Sequence, residues 1–95
     1  MKHCIIVKWN EKVTDKCAVA EEVKKLYDPV PQTVEGVKYI DFLRNCIDRP
    51  NRYDLAIVIH MDSDALPRWD ESEIHKRWKS EYGDLIASKT IFDFE

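Results

Sequence analysis

The chain has 95 residues, 44% hydrophobic and 11% aromatic, which fits one globular domain over residues 1–95 and excludes a disordered segment. Eighteen acidic against fifteen basic side chains give a formal net charge of −3, and no basic stripe interleaves with aromatics, so nucleic acid is not an expected partner. The apolar runs are too short to span a bilayer, and Met1-Lys2-His3-Cys4 leads straight into a charged strand. A cytoplasmic protein without a membrane partner is expected.

Lys2–Trp9 reads as a strand, with His3, Ile5, Val7 and Trp9 on one face and Lys2, Cys4, Ile6 and Lys8 on the other. Asn10-Glu11-Lys12 breaks the alternation. Thr14-Asp15 then offers short oxygen side chains to cap a helix. Val19, Val23, Leu26, Tyr27 and Val30 recur at helical spacing until Pro29 and Pro31 end it. Glu35-Gly36 introduces a second strand over Val37–Ile47. Asp48-Arg49-Pro50-Asn51 is turn chemistry, so a third strand, Tyr53–Met61, should pair with the second as an antiparallel hairpin. Beyond it, the pattern predicts a short helical turn at 64–70 and a longer helix over about 71–87. Asp70, with Glu73 three residues on, supplies the expected cap, and Ile74, Trp78, Tyr82, Leu85 and Ile86 form the apolar stripe. Lys89–Phe94 closes the chain as a fourth strand.

The order β-α-β-β-α-β predicts an α+β fold of the ferredoxin-like type, a four-stranded antiparallel sheet with two helices on one face. The uncovered face of such a sheet should be polar. It is not: Cys4 and Ile6, Ala56 and Val58, and Phe92 and Phe94 oppose the apolar residues of the other face. Leaving three such side chains wet forgoes about 1.5–3 kcal/mol each. Two sheets packed face to face would cover them, so the expected partner is a second copy of the chain, as a homodimer.

Cys4, Cys17 and Cys46 contain no close pair, which argues against a disulfide framework or a CxxC zinc site and leaves three thiols as small apolar fillers. His3, His60 and His75 fall on three separate elements, so no metal site is expected. No glycine-rich phosphate loop or nucleophile elbow occurs, and no cofactor is implied. His60 shares a strand face with Ala56 and Val58, toward the expected dimer interface.

Several short pieces, in order, resemble the stress-responsive α/β-barrel family, also called the dimeric α/β-barrel family. They are Lys2-His3 before an apolar strand, Val34-Glu35-Gly36-Val37, Arg44-Asn45, Tyr53-Asp54, His75 on the last helix, and Ile91-Phe92-Asp93-Phe94. The resemblance implies two protomers whose sheets close an eight-stranded barrel. It also implies a range of roles, from stress-associated proteins to cofactor-free enzymes such as olivetolic acid cyclase, which closes a ring by an aldol reaction.

Two functional readings follow. In the first, a homodimer of the stress-responsive type holds a small apolar or aromatic ligand between helices and sheet, with His3, Ile5, Val7, Ile57, Ile59, Trp69, His75, Trp78, Tyr82 and Asp93 around it. In the second, the protein is a cyclase, isomerase or lyase acting on a small carbonyl or phenolic compound, with His75 as general base. An imidazole suits proton transfer near neutral pH. The resemblance matches His75 to the cyclase's helix base, His3 to a pocket histidine and Asp93 to an orienting acid. It fails at Trp69, which stands where the cyclase has a tyrosine, and at Leu55, which replaces a strand histidine. Ser72-Glu73-Ile74-His75 likewise lacks the first histidine of the family's His-Pro-Ala-His stretch.

Overall fold

A computed structural model describes residues 1–95. Four strands, β1 (Lys2–Trp9), β2 (Val37–Arg44), β3 (Leu55–Met61) and β4 (Ile86–Phe94), form one antiparallel sheet in the order β2-β3-β1-β4. The helices are α1 (Lys16–Tyr27), α2 (Val30–Thr33), α3 (Leu66–Glu71) and α4 (Glu73–Tyr82), with 3-10 turns at Ser63–Ala65 and Gly83–Leu85. This is the α+β, ferredoxin-like arrangement that the element order predicts. β1 lies in the middle, pairing with β3 on one side and with β4 on the other.

Alternation along the strands divides the sheet. Ile5, Val7 and Trp9 from β1 and Leu55, Ile57, Ile59 and Met61 from β3 point toward the helices, joining Val23, Leu26, Tyr27, Trp69, Ile74, Trp78 and Tyr82 in one core. The aromatic residues interlock: Trp9 meets Trp78 edge to face at 6.3 Å, and Tyr27 meets Trp78 at 5.6 Å and Trp69 at 5.5 Å.

Asp15 caps α1 as expected, its Oδ1 accepting from the Ala18 N–H at 3.0 Å. Pro29 and Pro31 do more than end that helix. Pro29 precedes, and Pro31 sits within the first turn of, the short α2, where a missing N–H costs nothing. Ser72, not Asp70, caps α4: its φ/ψ of −69°/152° breaks the helical path after α3, and its Oγ accepts from the His75 N–H at 3.2 Å. The predicted long helix therefore begins at Glu73 and stops at Tyr82. Ile86, expected on its stripe, opens β4 instead, opposite Trp9 across a register shift. On the other edge of β1, just ahead of β3, Asp54 Oδ2 accepts from the Trp9 N–H at 2.8 Å, while Lys16 holds Asp54 Oδ1 at 2.9 Å. β2 ends at Arg44, three residues short of the predicted Ile47, and β3 begins at Leu55 and not Tyr53. Tyr53 reaches across to β4, its hydroxyl 2.9 Å from Ser88 Oγ.

Gly36 closes the approach to β2 with φ +93°; a Cβ there would stand 2.8 Å from Ala65 Cβ. No helix is long and apolar enough to cross a membrane.

Candidate functional site

The expected site residues separate into three groups. Ile5, Val7, Ile57, Ile59, Trp69, Trp78 and Tyr82 lie together between helices and sheet, all buried, in mutual contact as core. The space that the sequence reading assigns to a cavity is thus occupied by their own side chains, and the four main concave surfaces of the molecule, of 190–590 Å³, include none of them.

His3 and Asp93 form the second group. β1 and β4 pair with these two residues directly opposite, and His3 Nδ1 donates to Asp93 Oδ1 at 2.5 Å. The imidazole is buried and the carboxylate half-exposed, so the acid orients the ring and selects its tautomer. Burial, reinforced by the nearby Asp93 charge, pushes the Cys4 thiol above its usual range.

His75 is the third. It sits half-buried in the first turn of α4, with its ring centroid 5.0 Å from that of Trp69. Its Nδ1–H donates to the Asp70 carbonyl at 2.9 Å, across the break between α3 and α4. Nε2 therefore carries the free lone pair, the arrangement a general base requires. His3 and His75 thus have separate hydrogen-bond partners.

Tyr27, absent from the expected site, carries the most informative feature of the interior. Its hydroxyl and the Trp69 Nε1–H are the two buried side-chain polar atoms with no hydrogen-bond partner, and their rings touch. Burial alone drives the Tyr27 phenol well above its ordinary range, so it stays neutral and able both to donate and to accept. Tyr27 also lines a groove of 340 Å³ between α1, α2 and the edge strand β2, bounded by Lys24, Pro31, Tyr39 and Phe42. The helical period of α1 places Tyr27 in the core, but periodicity does not reveal an unsatisfied hydroxyl; only the packing does.

The opposite sheet face is open. Tyr39, Leu43, Phe92 and Phe94 are 54%, 52%, 60% and 40% exposed around Ile6, Ala56 and Val58. Near one end His60 Nε2 bonds Asp41 Oδ2 at 2.8 Å, and the Tyr39 ring stacks on the imidazole at 3.9 Å. His60 thus lies on the face its alternation predicts.

A four-stranded antiparallel sheet with helices on one face and an apolar second face defines the ferredoxin-like class. Comparison with solved structures finds the same fold repeatedly. A dimeric protein of unknown function from Bacteroides fragilis superposes with a TM-score of 0.82 at 16% identity, covering 99% of this chain and 93% of that one. A DABB family protein with a ferredoxin-like fold from Mesorhizobium loti gives 0.70 at 12% identity, covering 99% and 93%. Hydroxynitrile lyase from Passiflora edulis gives 0.76 at 9% identity, covering 98% and 89%. No protein-family profile and no curated protein sequence matches the chain.

Proposed function

We propose that this chain is a cytoplasmic, homodimeric protein of the stress-responsive, dimeric α/β-barrel type, acting as one domain that binds a small molecule between helices and sheet, in the groove that α1 and α2 form with the edge strand β2. The assembly rests on one observation, the exposed Tyr39, Leu43, Phe92 and Phe94 flanking an apolar strip on a sheet face that no helix covers. Burying four half-exposed side chains of this size is worth about 1 kcal/mol each per protomer, enough to drive pairing of two copies. Several solved proteins of the same fold are described as dimeric, which agrees with this reading.

The ligand reading rests on Tyr27 and Trp69. One donor-acceptor and one donor, on rings 5.5 Å apart, lie in the core without partners. A ligand oxygen accepting from both would satisfy them without displacing an existing bond, and the groove floored by Tyr27 offers the way in. An apolar or aromatic compound carrying one carbonyl or phenolic oxygen fits those demands. The apolar core residues around Trp78 pack behind Tyr27, whereas His3 and Asp93 form a separate pair outside this groove.

Phe92→Asp tests the assembly, because it puts a charge on the open face without touching the core. Sedimentation velocity should show a dimer for the wild type and a monomer with unchanged circular dichroism for the variant. A wild-type monomer at micromolar concentration would end the dimer reading.

A second reading is favoured by the Nδ1 bond of His75, which leaves Nε2 as a proton acceptor beside Trp69. On it the protein is a cofactor-free cyclase, isomerase or lyase acting on a small carbonyl or phenolic compound, a reading supported by the similar fold of a hydroxynitrile lyase. Once a turnover substrate is found by metabolite screening, His75→Ala should abolish turnover; unchanged turnover removes His75 from the mechanism.

A further inference from the structure

We propose that Cys17 and Cys46 form a thiol–disulfide couple across the cleft between the start of α1 and the end of β2, closed by exchange with a small anionic disulfide of the glutathione type. Both cysteines are exposed, whereas Cys4 is buried in β1. Both line the same concave surface, of 590 Å³. Twenty-eight intervening residues hide this proximity from the sequence.

Their alignment follows from one ion pair. β1 and β2 each run antiparallel to β3 and hence parallel to one another, so α1, which carries the chain back between them, runs antiparallel to β2. The Arg44 guanidinium meets the Glu21 carboxylate and so sets the level of helix against strand. Stepping back one turn from Glu21 moves about 6 Å along α1 on the same face and reaches Cys17. Cys46 follows two residues beyond Arg44, just past the end of β2 and at the same end of the cleft. Both thiols therefore lie toward the same end of the cleft.

Cys46 has left the sheet, since β2 ends at Arg44 and the chain regains regular structure only at Leu55. Asn45 folds this segment locally, its side chain bonding both the N–H and the carbonyl of Ile47. Beyond the Asn45 N–H bond to the Asp54 carbonyl the segment makes no ladder bonds, so Cys46 can shift toward α1 and bring the Cα atoms within the roughly 7 Å that a disulfide needs. Charge selects the reagent. Lys8, Lys16, Arg44, Arg49 and Arg52 line the cleft against Asp15, Asp48 and Asp54, a cationic surplus that draws in an anionic disulfide.

The exchange balances in two steps. One protein thiolate attacks a sulfur of glutathione disulfide, forming a protein–glutathione disulfide as the reagent's S–S bond breaks and one glutathione thiolate leaves. The second protein thiolate attacks the protein sulfur of that mixed disulfide, forming the Cys17–Cys46 bond and releasing the second glutathione. Two electrons pass from the two protein thiols to the reagent, and their two protons end on the two glutathione thiols.

The test is intact-mass and peptide mapping of the reduced full chain after incubation with glutathione disulfide in a defined redox buffer. The folded wild type should lose two hydrogens, yield a linked Cys17–Cys46 peptide and keep Cys4 as a thiol. Cys46→Ser should retain one glutathione on Cys17, and Cys17→Ser one on Cys46, because the second thiol is missing. The linked form should be at least tenfold more favoured in the folded chain than in urea. Unreacted cysteines, glutathione held stably on both positions of the wild type, linkage only between separate chains, or equal oxidation in urea would each overturn the proposal.

Discussion

Removing the Tyr27 hydroxyl should make this protein more stable. Tyr27 is 1% exposed and its oxygen has no partner, so folding strips the hydroxyl of water and returns no hydrogen bond. Such a group costs about 1–3 kcal/mol. Tyr27→Phe deletes that oxygen and keeps the ring, whose contacts with Trp69 at 5.5 Å and Trp78 at 5.6 Å carry its share of the packing. A net gain of about 1 kcal/mol is expected, which in a chain this short raises Tm by about 5 °C. Thermal and urea unfolding followed by circular dichroism measure the change, at matched protein concentrations because dimerisation alone moves Tm. The same variant should bind more weakly any ligand whose oxygen meets Tyr27. A Tyr27→Phe protein less stable than the wild type would show that the hydroxyl has a partner, and would refute both the reasoning and the ligand contact built on it.

Other consequences follow from local geometry. Ser72→Ala removes the oxygen that receives the His75 N–H and should cost about 1 kcal/mol in urea unfolding, while Asp70→Ala should cost far less. Gly36→Ala forces a Cβ against Ala65 at a φ of +93° and should destabilise the fold by about 1–3 kcal/mol, read from the urea midpoint. Burial raises the phenol pKa of Tyr27 and, with the Glu22 and Glu81 charges adding to it, that of Tyr82. These tyrosines ionise more readily when unfolded, so the unfolded state releases protons first and stability should fall as pH climbs through and beyond the ordinary tyrosine range near 10. Tyrosinate absorbance should then appear in two stages, with the Tyr27 contribution arriving only on unfolding; full ionisation of all tyrosines in a folded chain would contradict the burial.

Much of the fold is legible in the sequence because its signals are local. The alternation of β1 and the pairing of β2 with β3 depend on neighbours a few residues apart, as does the Asp15 cap. The errors fall where two local signals compete. Asp70 and Ser72 both offer capping oxygens, and the choice is made by Trp69, which must enter the core at the end of α3 before the chain can turn into α4. Ile86 fits a helical stripe by spacing, yet the shift opposite Trp9 recruits it into the sheet. The expected site shows the same division. Its apolar members were identifiable as interior residues, but whether an interior is hollow or filled depends on how side chains from strands and helices far apart in the chain interlock.

The amino-acid sequence by itself determines the βαββαβ order and the presence of two apolar sheet faces, because strand alternation and helix period are written residue by residue. Tertiary structure decides what depends on distant residues meeting. It pairs His3 with Asp93 and His60 with Asp41, leaves the hydroxyl of Tyr27 and the N–H of Trp69 without partners, and brings Cys17 and Cys46 to one cleft. Hydrogen-bond satisfaction and the lining of a cleft are properties of packed space, and packing joins residues that the chain holds far apart.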